Sequence, residues 1–251
     1  MFSPAAAKAS FMTLPPSSEI RLMTWNIHGA RGRNPRFDLT RVIALIGAHK
    51  PDVIALQEID SRRPSAAGVG DPFEALRTAL GNHSVGAKSI TTVDGEYGQA
   101  LISRWPIQNP EIHDISYGER EPRRAIRCEI AAPCGPLQVI ATHLGLSIRE
   151  RRGQARKLLD LIGDRPITTV LMGDFNDWFW VGSVRKVLAS RLPVRSRLRT
   201  FPSRLPIFRF DRIYCSCESA LLSAQTDTTA RVLSDHLPVI ADISGFSFRS
   251  C

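Results

Sequence analysis

The sequence predicts an α+β fold in which β-sheets pack on each other and helices cover their outer faces. Short apolar runs bounded by glycine and proline, such as Val53–Gln57 and Thr169–Gly173, are typical of buried strands. Amphipathic segments with helical spacing lie between such runs, and no repeat of about 20 to 50 residues is present. This pattern favours one large domain, 20–251, after a flexible N-terminal tail, 1–19.

The chain order of these elements follows from the same signals. Strands are expected at Ile20–Asn26, Val53–Gln57, Tyr97–Ser103, Ala125–Ile130, Leu137–His143, Thr169–Gly173, Ile213–Cys215 and Leu237–Ile243. Helices are expected to begin after Asp38, Asp71 and Ser147, which are residue types that cap helix N-termini. In the last of these helices we expect Arg151 to lie on the outer, solvated face.

Composition limits the environment and the partners of the chain. With 33 Lys and Arg against 24 Asp and Glu, the formal charge is +9, which favours polyanions or anionic head groups as partners. Nine basic residues and several phenylalanines fall within 185–212, which is predicted to be an irregular basic loop. Five cysteines without paired zinc-like spacing indicate a reducing, cytoplasmic compartment, with Cys215 and Cys217 expected to pack in the core. No apolar run has the length of a membrane span, so any contact with an anionic membrane is expected to be peripheral.

Acidic, amide and histidine side chains cluster at the ends of the predicted strands. Glu58 follows one strand and Asn26 ends another, so a hard cation such as Mg²⁺, or Mn²⁺ in its place, has a carboxylate and an amide oxygen available. The alternative for Glu58 is a solvated charge at a strand exit. Because distant segments deliver these groups to one edge, the pattern predicts a single site suited to phosphate ester chemistry.

Candidate acid, base and orienting groups lie in two further clusters. His236 offers an imidazole, but neighbouring Asp235 points to the opposite face of a strand, so Asp174 or a more distant carboxylate could orient the ring instead. Asp174 and Asn176 share one face in an extended segment, where the carboxylate could polarise water and the amide could bind a phosphoryl oxygen. The same residues are also a good turn sequence.

Three basic residues complete the set of candidates. His143 ends the Leu137–His143 strand and could bind a phosphate oxygen or protonate the leaving group. Arg123 and Arg124 precede another strand and could hold a phosphate oxygen in a bidentate manner. A histidine bonded to backbone and two solvated arginines are the structural alternatives.

Five segments together resemble the endonuclease/exonuclease/phosphatase superfamily, which includes deoxyribonuclease I and the neutral sphingomyelinases. In chain order they are Thr24–Gly29, Leu56–Glu58, Ala141–Leu144, Met172–Asn176 and Ser234–Val239, and the match covers about 20–245. The resemblance implies a four-layered sandwich of two packed mixed or antiparallel sheets flanked by helices.

The resemblance also implies roles for particular residues. Glu58 would be the main Mg²⁺ ligand with Asn26 nearby, and Asp174 would activate or orient water. His236 would be a general base or phosphate ligand in a site supported by Asp235. Asn176 would hold the transition-state phosphate and His143 a phosphate oxygen. His28, Arg123, Arg124 and Asp211, the last resembling the family's acid before its penultimate strand, are the expected substrate-binding residues.

Two departures bear on the substrate. His28 stands where the apurinic-site nucleases of the superfamily usually place an acid, and His143 stands where they place tyrosine. We therefore expect a Mg²⁺-dependent hydrolase acting on a small or lipid-borne phosphodiester, with no obligate protein partner. The alternatives are an endonuclease of the deoxyribonuclease I type and, in a different class, a non-catalytic module that binds anionic membranes or nucleic acid.

Overall fold

The computed structural model describes residues 19–30, 38–62, 70–164, 166–178 and 183–245. The predicted tail, 1–19, lies outside this part except for Glu19, which begins the first strand. The strands are β1 (Glu19–Asn26), β2 (Val53–Asp60), β3 (His83–Thr92), β4 (Gly95–Ser103), β5 (Ile107–Asp114), β6 (Arg124–Ala132), β7 (Gly135–His143), β8 (Thr169–Asp174), β9 (Val194–Arg195), β10 (Asp211–Cys215), β11 (Leu221–Gln225) and β12 (Val239–Ser244). The helices are α1 (Leu39–His49), α2 (Pro72–Leu80), α3 (Ile148–Ile162) and α4 (Ser183–Leu188), with 3-10 turns at His28–Ala30 and Thr228–Val232.

The strands form two six-stranded sheets, ordered β11-β12-β1-β2-β4-β3 and β5-β6-β7-β8-β10-β9. β1 and β2 are parallel, and so are β7 and β8, whereas the other neighbours are antiparallel. Both sheets are therefore mixed. Parallel neighbours end at the same edge of a sheet, so the residues that follow β1 and β2 come together, as do those that follow β7 and β8.

The apolar residues fall into three clusters that correspond to the contacts between layers. The largest lies between the sheets and includes Leu22, Val139 and Met172. A second cluster packs α1 and α2 on the first sheet, and a third packs α3 and α4 on the second sheet. The layer order is therefore helix, sheet, sheet, helix, which confirms the predicted four-layered sandwich.

Capping residues set the helix boundaries where the sequence predicted them. The side chain of Asp38 accepts a hydrogen bond from the backbone N–H of Arg41, and Asp71 does the same for Phe73. Ser147 and Glu150 form a reciprocal capping box at the start of α3. Each helix therefore begins with its free N–H groups partly satisfied.

Several strand bounds differ from the prediction by one to three residues, and the stretch 185–212 is more regular than predicted. The last strand begins at Val239 rather than Leu237, because Pro238 has no N–H to donate and Leu237 donates instead to the carbonyl of Thr200. The stretch 185–212 is not wholly irregular, since it contains most of α4 and all of β9. The short strand β9 pairs with the edge of β10.

Two side-chain environments also differ from the prediction. Arg151 is fully buried, and its Nε lies 3.9 Å from Oδ1 of Asp177 rather than on the outer face of α3. Cys215 and Cys217 are both buried in the core, as expected, but only Cys215 of the two is free, whereas Cys217 is disulfide-bonded. Among the described residues, none of the helices combines the length and apolar character required to cross a bilayer.

Candidate active site

Strand register brings the predicted residues to one edge of the two sheets. Asn26, the last residue of β1, pairs with Gln57, the residue before Glu58. In the second sheet His143 pairs with Asp174, which also pairs with Asp211 at the start of β10. Five strands from distant parts of the chain therefore deliver polar side chains to one place.

Asn26 links the two sheets at the base of the site. Its Nδ2 donates to Oε1 of Glu58 at 2.7 Å and to Oδ2 of Asp174 at 3.0 Å. Its Oδ1 accepts a hydrogen bond from the backbone N–H of His28 at 3.0 Å. The amide nitrogen of Asn26 therefore faces the two carboxylates, and its oxygen faces the backbone of His28.

Glu58 is the most accessible carboxylate among those that contact Asn26. Its φ is +58°, and the pairing of β2 with β4 shifts register between Leu56 and Ile59, so a bulge turns the Glu58 side chain into the site. Desolvation raises the pKa of Glu58, but the hydrogen bond from His28 and the Asn26 amide outweigh it and lower the pKa to about 2. Glu58 is therefore charged at neutral pH, and its side chain remains 22% exposed.

His236 is oriented by Asp211. Nδ1 of His236 lies 2.8 Å from Oδ2 of Asp211, and both side chains are buried. Desolvation lowers the pKa of His236, but the charges of Asp211 and Asp174 outweigh it and raise the pKa to about 10. Because Nδ1 donates to Asp211, the protonated ring presents its Nε2–H to the site.

Asp174 lies between the two histidines of the site. Its Oδ2 is 3.6 Å from Nε2 of His143 and 3.8 Å from Nε2 of His236, while its Oδ1 accepts the backbone N–H of Asn176 at 2.9 Å. Burial raises the pKa of Asp174 to about 6, with the charge of Asp211 adding to the increase and His236 opposing it. This carboxyl group can therefore exchange a proton near neutral pH.

His143 is neutral, and its tautomer follows from its partner. Nη1 of Arg123 lies 3.1 Å from Nδ1 of His143, and since arginine only donates, Nδ1 must accept and Nε2 must carry the proton. Burial and the Arg123 charge lower the pKa of His143 to about 3. Nδ2 of Asn176 donates to the carbonyl of Leu144 at 3.0 Å and lies 3.3 Å from Nε2 of His143. The N–H groups of His143 Nε2 and Asn176 Nδ2 therefore lie next to each other on this side of the site.

Two predicted residues, Asp211 and Arg124, lie elsewhere than expected. Asp211 is fully buried against His236, so its carboxylate orients an imidazole rather than meeting a substrate directly. Asp235 does not contact the His236 ring, as the alternation of side chains predicted; its side chain is 43% exposed and lies 3.6 Å from Nδ1 of His28. Arg124 turns away from the site and pairs with Asp114 at 2.8 Å, because adjacent residues of a strand face opposite sides.

Two residues without a role predicted from sequence, Ser234 and Trp25, hold the site in place. Oγ of Ser234 donates to the carbonyl of Asn26 at 2.7 Å and lies 3.1 Å from the backbone nitrogen of His236. Nε1 of Trp25 donates to the carbonyl of His236 at 2.9 Å. Both belong to the recognised segments, but only the tertiary structure reveals that they fasten β1 to the His236 loop.

Comparisons with known proteins identify the family of the chain. The Endonuclease/Exonuclease/phosphatase family model matches residues 23–236. The uncharacterized protein YbhP of Escherichia coli K12 is 30% identical over 247 residues, covering 89% of this chain and 95% of YbhP.

Solved structures share the fold at lower identity. An endonuclease/exonuclease/phosphatase from Beutenbergia cavernae has a TM-score of 0.72 and 21% identity, covering 90% of this chain and 72% of that one. The human Nocturnin catalytic domain with a bound sulfate anion has a TM-score of 0.69 and 22% identity, covering 90% and 93%. By the extent of the family match and the similarity to YbhP, the chain belongs to the endonuclease/exonuclease/phosphatase family.

Proposed function

We propose that the protein is a divalent-metal-dependent phosphodiesterase acting on a small or lipid-borne phosphodiester. The observation that carries the proposal is the convergence of His236, His143 and Asn176 on Asp174, with their N–H groups grouped around one point. A phosphoryl group placed there would meet several donors at once. Preorganised donors stabilise the charge that grows on phosphoryl oxygens during hydrolysis.

The residues present fit a hard cation, with Glu58 as the ligand. Its carboxylate is charged and partly exposed, and Mg²⁺ needs only one or two protein carboxylates because it keeps several waters. Asp174, Asp211 and His236 form a second group of possible metal ligands, with one ligand atom from each within 4.8 Å of the others. In this group, however, Asp211 and His236 are already hydrogen-bonded to each other. When bound, the ion would neutralise phosphoryl charge and polarise water.

One side chain of the site is suited to accept a proton, and two others are suited to donate hydrogen bonds. Asp174, with a pKa near neutrality, is suited to accept a proton from the attacking water. His236 keeps its proton and donates Nε2–H to a phosphoryl oxygen, while Asp211 holds the ring in place. His143 donates its own Nε2–H, and Arg123 is the positioning residue that fixes this tautomer.

A metal-dependent hydrolysis assay tests the proposal. We expect bis-p-nitrophenyl phosphate to be hydrolysed with Mg²⁺ or Mn²⁺, and the activity to disappear in EDTA. Asp174→Asn should reduce turnover by roughly 100-fold or more, as expected for loss of a general base, with an unchanged circular dichroism spectrum. Exposed Asp164, which pairs with Arg191, offers the matched control Asp164→Asn. Full activity of Asp174→Asn would overturn the mechanism.

A nuclease of the deoxyribonuclease I type is the second candidate. The formal charge of +9 and the arginines of 185–212 favour contact with a phosphate backbone. Plasmid nicking that requires Mg²⁺ and is lost in Asp174→Asn would favour the nuclease. Hydrolysis of phospholipids in vesicles, or of a small diester, without plasmid nicking would favour the phosphodiesterase of small or lipid-borne substrates.

A further inference from the structure

A cavity beside the catalytic residues has arginines at five of its ten described lining positions. It has a volume of about 300 Å³. The arginines that line it come from α4, β9, the segment between β9 and β10, and β10 itself, and they are Arg185, Arg195, Arg197, Arg209 and Arg212. Asp177 is the one acid among the described lining residues, so the wall carries a formal charge of +4. We call this cavity the arginine pocket.

The single acid of the arginine pocket already has cationic partners. Asp177 lies 3.8 Å from Nη1 of Arg212 and 3.9 Å from Nε of buried Arg151. Two buried guanidinium groups thus share one carboxylate. Among the described lining residues, one carboxylate therefore faces five guanidinium groups.

The positively charged arginines of this pocket repel one another, and their burial adds to the free-energy cost of keeping them charged. Burial lowers the pKa of Arg195, and the charges of Arg185 and Arg212 lower it further. Burial also lowers the pKa of Arg209, as do neighbouring arginines. A folded protein that holds guanidinium groups together in this way gains stability when an anion enters between them.

The pocket is connected to the catalytic site through aromatic rings. Phe208 lines the pocket and stacks on Phe210 at 5.3 Å, and Phe210 lies 6.0 Å from the ring of His236. Asp177 and Trp178 of the pocket wall directly follow Asn176. The arginine pocket and the catalytic site are therefore adjacent, and aromatic side chains lie between them.

We propose that the arginine pocket binds a phosphoryl group other than the one that is hydrolysed. Guanidinium groups present paired N–H donors that match phosphate oxygens, and several around one concave space suit a compact, multiply charged anion. The aromatic edges of Trp178 and Phe208 would contact the part of the ligand that carries this phosphate. The phosphoryl group could belong to the substrate or be free phosphate.

Calorimetry with pyrophosphate tests binding directly. Titration of the full chain in EDTA at low salt should show binding that weakens as salt is added. Arg195→Gln/Arg197→Gln should weaken it by about tenfold or more, since two charged hydrogen-bond donors are lost. Arg185→Gln is a second variant if the first does not fold. The control Arg41→Gln/Arg231→Gln removes the same charge from exposed positions next to the first sheet and should leave binding unchanged.

The outcomes separate this proposal from the proposed function. Binding that survives in His236→Ala but is lost in the pocket variants supports the arginine pocket, even if no phosphodiester is hydrolysed. Equal affinity of the pocket variants and the control, or no binding of pyrophosphate to the wild type at millimolar concentration, would overturn it.

Kinetics then identifies the source of the phosphoryl group. Two p-nitrophenyl diesters that differ only in a second, terminal phosphate should be compared. If the group belongs to the substrate, Arg195→Gln/Arg197→Gln raises KM about tenfold for the diester that carries the terminal phosphate and leaves KM for the other diester unchanged. If it is free phosphate, KM is unchanged for both diesters, and pyrophosphate alters turnover of the wild type but not of the variant.

Discussion

Nδ1 of His236 lies 2.8 Å from Oδ2 of Asp211, a residue 25 positions earlier in the chain. Both side chains are buried, and the pairing leaves Nε2 of the imidazole directed at Asp174, 3.8 Å away. Asp211 therefore decides both the orientation of the ring and which nitrogen faces a substrate. Orientation of an imidazole by a buried carboxylate is a recurring device of hydrolases.

Asp211→Asn should retain the fold but lose roughly 100-fold or more of kcat, because the amide cannot supply the negative charge that holds His236 protonated. The pH profile should change as well, with activity falling at a lower pH than in the wild type. Steady-state kinetics across pH measures both effects. An unchanged pH profile would indicate that Asp211 has only a structural role.

The His236 imidazole should remain protonated at pH 8 in metal-free protein, since its pKa is raised to about 10. NMR of labelled histidine rings measures this directly. Because the folded pKa exceeds the ordinary value of about 6.5, the stability due to this group is fully present below that pH and is lost as the pH rises through about 10. A neutral His236 at pH 8 would contradict the ion-pair description.

Glu58→Gln should weaken Mg²⁺ binding by about tenfold or more, because the site loses its accessible anionic ligand. Calorimetric titration of the wild type and the variant measures the difference. Glu74→Gln, on the exposed surface of α2, removes the same charge away from the site and serves as the control. Equal Mg²⁺ affinity in the wild type and Glu58→Gln would assign the metal to other residues.

Gly173→Ala should lower the free energy of unfolding by about 2–4 kcal/mol, because its φ is +152° and a Cβ there would overlap the Thr142 carbonyl. The same change would push β7 from β8 and separate His143 from Asp174. Gly47→Ala has open space within α1 and should instead raise stability by about 0.5–1 kcal/mol. Urea denaturation tests both; equal effects would contradict the close approach.

Arg151→Ala and Arg152→Ala should differ sharply although the residues are adjacent. Arg151 is buried against Asp177, so its removal leaves that carboxylate short of a partner and should cost about 3–5 kcal/mol. Arg152 is exposed, and its loss should change stability by no more than about 0.5 kcal/mol. Thermal unfolding of the two variants provides the comparison.

Much of the fold could be predicted because local signals agreed with tertiary packing. Asp38, Asp71 and Ser147 cap helices through side-chain chemistry that is local in sequence. The strands that end at Asn26 and His143 are apolar runs with clear boundaries. Edge strands such as β3, β5 and β11 are partly exposed and therefore lack that signal.

The residues that form the site were easier to predict from sequence than the hydrogen bonds and ion pairs between them. Motifs placed Glu58, Asp174 and His236 together, but not the partner of His236, since Asp211 pairs with it across the fold. Alternation of side chains in the extended segment that leads into β6 could have shown that Arg123 and Arg124 do not face the same way. The burial of Arg151 has no local signal, because the helical pattern of α3 does not reveal the Asp177 carboxylate beneath it.

A crystal structure of Asp174→Asn with Mg²⁺ and an unhydrolysed phosphodiester would test the central claim most directly. The account predicts phosphoryl oxygens within hydrogen-bond distance, about 2.7–3.2 Å, of Nε2 of both His143 and His236, with Mg²⁺ on Glu58. A diester bound elsewhere, with both imidazoles contacting only protein, would contradict it.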